Sequence, residues 1–176
     1  MTSRTASPDR VCEFEGHTEG INKVIRGGSS DVLLSAGSDG CVRLWDETTT
    51  RSISSFEVSP NWVWCLDLVD PNVFVCGGVG RELVSFDIRA RRASLRLRFP
   101  AEISGLSYSQ AFGFLASACF DGSVRLHDLR ATGNNATLVT RVAASSERLT
   151  RCVINNDRVV VGSFDGTLKI LDFADE

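Results

Sequence analysis

Histidine is scarce in this sequence: His17 and His127 are the only two in 176 residues. Neither lies near a Cys-x-x-Cys pair, because the six cysteines form no such pair, so no zinc-binding spacing is present. Long apolar runs are also missing. Stretches such as Val73 to Cys76 fall far short of the roughly 18–20 apolar residues of a membrane helix, and no membrane association is expected. No helical stripe of period 3.6 extends over a useful length. There is no Gly-x-Ser-x-Gly elbow, no phosphate-binding loop and no clustered carboxylate pair with a proton-relay partner. No catalytic site, metal, cofactor or small-molecule substrate is therefore expected. A secretion signal is absent too: residues 1–9 are rich in Ser, Thr, Arg and Pro and read as a frayed tail, as do residues 174–176.

Without a secretion signal, Cys12, Cys41, Cys65, Cys76, Cys119 and Cys152 are expected to be reduced, most of them buried as small apolar residues. The same absence makes the cytoplasm the expected location, with the nucleus as the alternative. Net charge is −3. Residues 1–88 carry 7 basic and 13 acidic side chains (−6), and residues 89–176 carry 12 and 9 (+3). Such a division gives the surface two electrostatic faces, which would orient a partner.

What the sequence does contain is a repeat. Residues 33–46 read LLSAGSDGCVRLWD, residues 74–87 FVCGGVGRELVSFD, residues 115–128 LASACFDGSVRLHD and residues 159–172 VVVGSFDGTLKILD. The closing residues Asp46, Asp87, Asp128 and Asp172 are 41, 41 and 44 residues apart. In each copy a short apolar run meets a Gly-containing turn, mostly Asp-Gly, and then an alternating run, which is the pattern of a β-hairpin. Another apolar segment lies upstream of each hairpin, at 21–25, 62–68, 103–108 and 149–154. A more polar segment precedes that, at 11–15, 51–58, 93–99 and 137–142. The chain is thus expected to be all-β, with four strands per unit, about sixteen in all, and repeats at about 10–46, 51–87, 92–128 and 137–172 within residues 10–173. A period near 40–45 residues is that of β-propeller blades.

These residues resemble the WD-repeat family. The first repeat matches best, with Gly16-His17 at its start and Trp45-Asp46 at its end. The resemblance implies a structural hydrogen-bond network of His17, Ser35, Asp39 and Trp45, so His17 is read as structural and not catalytic. The second repeat lacks the His, places Gly80-Arg81 at the turn and has Phe86 for the Trp. The third keeps Ser117 and Asp121 with His127 for the Trp, and the fourth keeps Asp165 with Leu171. The two turn aspartates are read as structural and His127 as a packing residue. The family also implies that a lone N-terminal outer strand, here 11–15, completes the last blade. Four repeats are few for such a ring. Three arrangements follow from that number: a small closed ring, part of a larger ring completed by a second copy or another protein, or a piece of a longer chain; the uncovered faces favour an arc completed by dimerisation or by a partner.

Propellers commonly bind partners at the end bearing the hairpin turns. The residues just before the turn aspartates are Ser38, Val79, Phe120 and Phe164. Phe120 and Phe164 are either contact residues or fold over neighbouring blades. Glu19, Trp62, Glu102 and Arg148 lead into the innermost strands. In Asn61-Trp62-Val63-Trp64 both indoles share a strand face; Trp64 is expected between blades and Trp62 at the contact surface. Arg81 and Arg148 either pair with an acidic or phosphorylated peptide or remain solvated. The run from Arg89 to Arg98 is the strongest basic feature, yet no aromatic platform interleaves it, which disfavours nucleic acid. The expected function is a non-catalytic protein-interaction scaffold or adaptor in a multiprotein complex. Alternatives are an RNA-associated subunit or a ubiquitin-ligase substrate-recognition subunit. The second rests on some likeness to F-box/WD-repeat propellers, although no F-box helices are present.

Overall fold

A computed structural model describes residues 12–130, 136–155 and 157–172. Both expected tails lie outside them. No helix forms among the described residues, and fifteen strands make up four antiparallel sheets. The first contains β1 (Ile21–Arg26), β2 (Val32–Gly37), β3 (Cys41–Asp46) and β4 (Arg51–Glu57). The second contains β5 (Val63–Asp70), β6 (Val73–Gly78), β7 (Glu82–Asp87) and β8 (Arg92–Arg98). The third contains β9 (Ile103–Ser109), β10 (Phe114–Cys119), β11 (Ser123–Asp128) and β12 (Thr137–Ala143). The fourth has only β13 (Leu149–Asn155), β14 (Arg158–Ser163) and β15 (Leu168–Asp172). Strands adjacent in sequence pair within each sheet, so every connection inside a sheet is a hairpin.

Alternation dictates the stacking. The four central hairpins have the same register: Leu34 pairs with Leu44, Val75 with Ser85, Ala116 with Leu126 and Val160 with Ile170. In the first three sheets this rung lies on the side facing the next sheet. Leu34, Val42, Phe56, Val63, Phe74 and Phe86 form the core between sheets one and two, where the Phe74 and Phe86 rings stack at 5.3 Å. Val75, Leu83, Phe99, Ile103 and Leu115 fill the second interface. The third uses smaller residues, including Ala116 and Ala118, against Leu149, Val159 and Val161. In the fourth sheet the same rung has no successor, and Val153, Leu168 and Ile170 are exposed. The innermost strands β1, β5, β9 and β13 follow one another along an arc that does not close.

Each sheet takes its outer strand from the residues after the closing aspartate, so the sheets run 21–57, 63–98, 103–143 and 149–172, one strand out of step with the sequence repeats, as the expected offset of the outer strand implies. One expectation needs correction. The strand expected at 11–15 does not form. Val11 lies outside the described residues, and residues 12–17 carry no strand. Instead they lie on the first sheet, because Phe14 packs edge-on to Trp45 (5.8 Å) and His17 is tied into that sheet by hydrogen bonds. Among the described residues no fourth strand flanks β15.

Candidate interaction face at the turn-bearing end

One small device recurs at the four hairpin turns. The third turn residue has positive φ: 76° at Gly40, 55° at Arg81, 74° at Gly122 and 80° at Gly166. A turn of this hand favours glycine, and Arg81 is the exception. The residue before each Asp or its equivalent then donates its N–H to the loop leading into the innermost strand. The bonds are Ser38 to Gly20 (2.8 Å), Val79 to Trp62 (3.1 Å), Phe120 to Glu102 (2.9 Å) and Phe164 to Arg148 (2.9 Å). A serine, a valine and two phenylalanines are thereby held at one end of a common frame.

In the first repeat, His17, Ser35, Asp39 and Trp45 form one connected chain of bonds. The Trp45 indole N–H donates to Ser35 Oγ (2.7 Å), and the Ser35 hydroxyl is 2.7 Å from His17 Nε2. His17 Nδ1 lies 2.9 and 3.0 Å from the two Asp39 oxygens. A carboxylate only accepts, so Nδ1 carries the proton and Nε2 accepts from Ser35. Asp39 also accepts from Thr18 N (3.2 Å) and Cys41 N (3.1 Å). Burial raises its pKa, but the bonds from His17 and the two amides outweigh that and hold it below the ordinary value. Every proton in this chain of bonds has an assigned acceptor.

The other turns use different chemistry. Asp121 accepts the Ser123 amide and hydroxyl and a two-pronged pair from Arg125, whose Nη2 lies at 2.7 Å. Burial works against its ionisation, yet Arg125 and Ser123 bring its pKa down to about 2. Asp165 accepts from Thr167, Ser145 and Lys169, which together depress its pKa. His127 is 5% exposed, 5.5 Å from the Phe99 ring, and burial plus the Arg125 charge lower its pKa to about 4. Leu171 packs against the third interface. The closing residues Asp46, Asp87 and Asp128 accept amides two residues ahead, at 2.8 Å each, and so pin the turns at the opposite end.

The candidate contact residues separate into groups. Glu19 and Trp62, with Ser38, Pro60 and Asn61, line a hollow of about 340 Å³, and Trp62 is 51% exposed. Arg81 is committed to Glu102, with Nη2 at 2.8 Å and Nε at 3.1 Å. Phe120, Arg148 and Phe164 come together. The Arg148 guanidinium lies 5.1 Å from the Phe120 centroid, and Phe164, 65% exposed, meets Phe120 edge-on at 6.4 Å. Trp64 does reach the next sheet, where its ring is 5.2 Å from Phe120, but it stays partly exposed. It therefore walls a second hollow at this end, apart from the one that Trp62 lines. The signal was the two-residue spacing of the indoles, which fixes their shared face but not which one meets a neighbour.

In the basic run, Arg96 and Arg98 share the Glu82 carboxylate (3.2 and 3.5 Å) and Arg91 covers the Phe56 ring at 5.3 Å, while Arg89, Arg91, Arg92, Arg96 and Arg98 all remain exposed. The thiols of Cys76 and Cys152 are pushed up to about 12 by burial, and that of Cys119 to about 11, so they remain protonated and unreactive near neutrality.

Comparison with known proteins agrees with this architecture. The sequence profile of the WD domain, G-beta repeat, matches residues 8–46 and 94–128. The chain is 28% identical over 141 residues to the ribosome biogenesis protein ytm1 of Schizosaccharomyces pombe, covering 77% of this chain and 31% of that protein. It is 34% identical over 100 residues to THO complex subunit 6 of Homo sapiens, covering 51% and 28%. It is 22% identical to the ribosome biogenesis protein WDR12 homolog of Trichoplax adhaerens, covering 96% and 46%. The chain thus spans less than half the length of each of these relatives. Among solved structures it resembles the computationally designed Ika4 protein, with a TM-score of 0.78 and 21% identity over 92% of this chain and 96% of that one. It also resembles the designed Ika8 protein, with a TM-score of 0.77 and 22% identity over 90% of this chain and 48% of that one.

Proposed function

Since this chain belongs to the WD-repeat family, we propose that it acts as a non-catalytic scaffold that holds protein partners inside an RNA-associated complex. The observation that carries this reading is the fourfold anchoring of the turns. The same amide-to-carbonyl bond recurs at Ser38, Val79, Phe120 and Phe164, while the side chains presented change from serine and valine to two phenylalanines along the arc. A rigid frame with variable tips is suited to recognition. The ribosome-biogenesis and THO relatives favour the RNA-associated alternative over a ubiquitin ligase. They also favour the nucleus over the cytoplasm, because ribosome assembly begins there. In this reading contact with RNA is made through protein partners, because no aromatic platform interleaves the basic run from Arg89 to Arg98. A second copy or a partner would cover the open face of the fourth sheet.

The test is native fractionation of the tagged chain from cells, followed by cross-linking and mass spectrometry. Co-migration with ribosome-assembly or THO-type proteins after nuclease treatment is expected, weakened in the Phe120→Ala/Phe164→Ala double variant. Migration at the 19.1 kDa mass of the free chain, with no cross-linked protein, would overturn the scaffold reading.

A further inference from the structure

Three large rings stand at the turn-bearing end where the repeat itself requires none. The bonds to Gly20, Trp62, Glu102 and Arg148 make those four residues equivalent. Two residues further on lie Asn22, Trp64, Ser104 and Thr150. In the first sheet the positions matching Trp64 and Phe120 are Asn22 and Ser38. They satisfy each other through Asn22 Nδ2 to Ser38 Oγ (3.0 Å), and Asn22 also donates to Val63 O (3.0 Å). Small polar residues therefore complete this turn. In the later sheets Trp64, Phe120 and Phe164 instead wall a hollow of about 450 Å³, floored by Ser104 and Thr150 and rimmed by Arg151. That volume lies within the roughly 300–1,000 Å³ of ligand-holding clefts. Keeping Phe164 65% exposed is unfavourable in water unless something covers it.

The rim carries two guanidinium groups. Arg148 and Arg151 form no ion pair among the described residues, and the nearby Glu102 is held by Arg81. Arg148 lies over the Phe120 ring. Arg151 Nη1 donates to the Ser104 and Thr150 carbonyls, which fixes its guanidinium at the mouth of the hollow. The aromatic geometry selects the class of occupant. Trp64 and Phe120 are tilted by 40°, and Phe120 and Phe164 are nearly perpendicular at 82°. Successive nucleic-acid bases need faces they can stack on in sequence. This arrangement is a notch, which encloses one bulky group on several sides.

We propose that the hollow between Trp64, Phe120 and Phe164 receives a single bulky apolar side chain from an acidic peptide segment, whose flanking carboxylates meet Arg148 and Arg151. The proposal rests on the scaffold reading and narrows it to one pocket and one partner chemistry. Aromatic walls that exclude water around an anchor, with charge at the rim, give affinity from the centre and orientation from the border.

Fluorescence anisotropy with the purified full chain tests it, using the labelled peptide acetyl-Asp-Glu-Phe-Glu-Asp-amide as probe. Controls carry Ala for the Phe or Lys for the acids, and a uridine dodecamer serves as the nucleic-acid arm. Saturable binding of the acidic Phe peptide is expected. It should weaken at least tenfold with Phe164→Ala or with the Ala peptide, and lose salt dependence with Arg148→Ala/Arg151→Ala. Trp62→Ala, in the other hollow, should leave it unchanged. Phe164 is exposed, so its variant keeps the fold, as circular dichroism can verify. The proposal fails if the acidic Phe peptide does not bind, if Phe164→Ala leaves binding intact, or if the uridine oligomer binds more tightly and is lost with Phe164→Ala. Cellular complexes that form despite such a failure would leave the scaffold reading standing and remove only this pocket.

Discussion

Ser35 shows how much one hydroxyl can hold. Its oxygen accepts from the Trp45 indole while its proton goes to His17, so Ser35→Ala strands a buried donor and a buried acceptor together. A loss of roughly 2–6 kcal/mol is expected in urea unfolding, since two groups are stranded and each costs about 1–3 kcal/mol. Ser117 occupies the matching strand position but bonds only to the Arg125 carbonyl (3.2 Å), and Ser117→Ala should cost about 1 kcal/mol. His127 predicts a pH response. Its folded pKa of about 4 lies below the ordinary 6.5, so protons bind preferentially to the unfolded chain. Its contribution is intact above pH 6.5 and drains away as pH falls towards 4, by roughly 3 kcal/mol over that window. His127→Phe should flatten the slope of unfolding free energy there. Asp121 acts lower, with stability lost as pH falls from 3.8 to about 2. The sequence marked His127 as a packing residue, because it stands where the first repeat has Trp45. It could not show Arg125 taking over the turn aspartate, since that pairing depends on how β11 presents alternate side chains.

At the scale of the hairpin, identical backbone does not mean identical tolerance. Gly122 and Gly166 sit at the same turn position with φ of 74° and 80°. A Cβ on Gly166 would meet nothing within 4 Å, so Gly166→Ala should cost only the left-handed strain, about 1–2 kcal/mol. On Gly122 a Cβ would fall 2.0 Å from the Ser145 carbonyl, which the chain brings there as it leaves β12. Gly122→Ala should therefore exceed the Gly166 cost by about 2 kcal/mol or more, measured as a difference in denaturation midpoints. Hairpins were legible because Asp-Gly turns and alternation act over a few residues. The innermost strands were placed to within two residues for the same reason. The candidate site was only half legible. Phe120, Phe164 and Arg148 could be named from their places in the repeat, but the Arg81–Glu102 pair and the role of Trp64 arise between sheets, where no local pattern speaks. Residues 12–15 misled because their composition resembles that of an outer strand, whereas Phe14 and His17 find partners on the first sheet.

For the whole molecule, the first and last faces are unequal. Phe14 and His17 cover part of the first sheet, while Val153, Leu168 and Ile170 leave the last one bare. Light scattering of the purified chain should show self-association that rises with concentration, and Leu168→Lys/Ile170→Lys should restore the monomer mass. A variant that still associates to the same extent would place the contact elsewhere. Because the arc is open, each sheet leans only on its neighbours, as in a stack of books without a second bookend. Heat or denaturant can then peel the three-stranded sheet away while the phenylalanine-filled first interface stays shut. Amide exchange should accordingly be fastest along β14 and β15 and slowest along β6, and covering that bare face would slow all of them together.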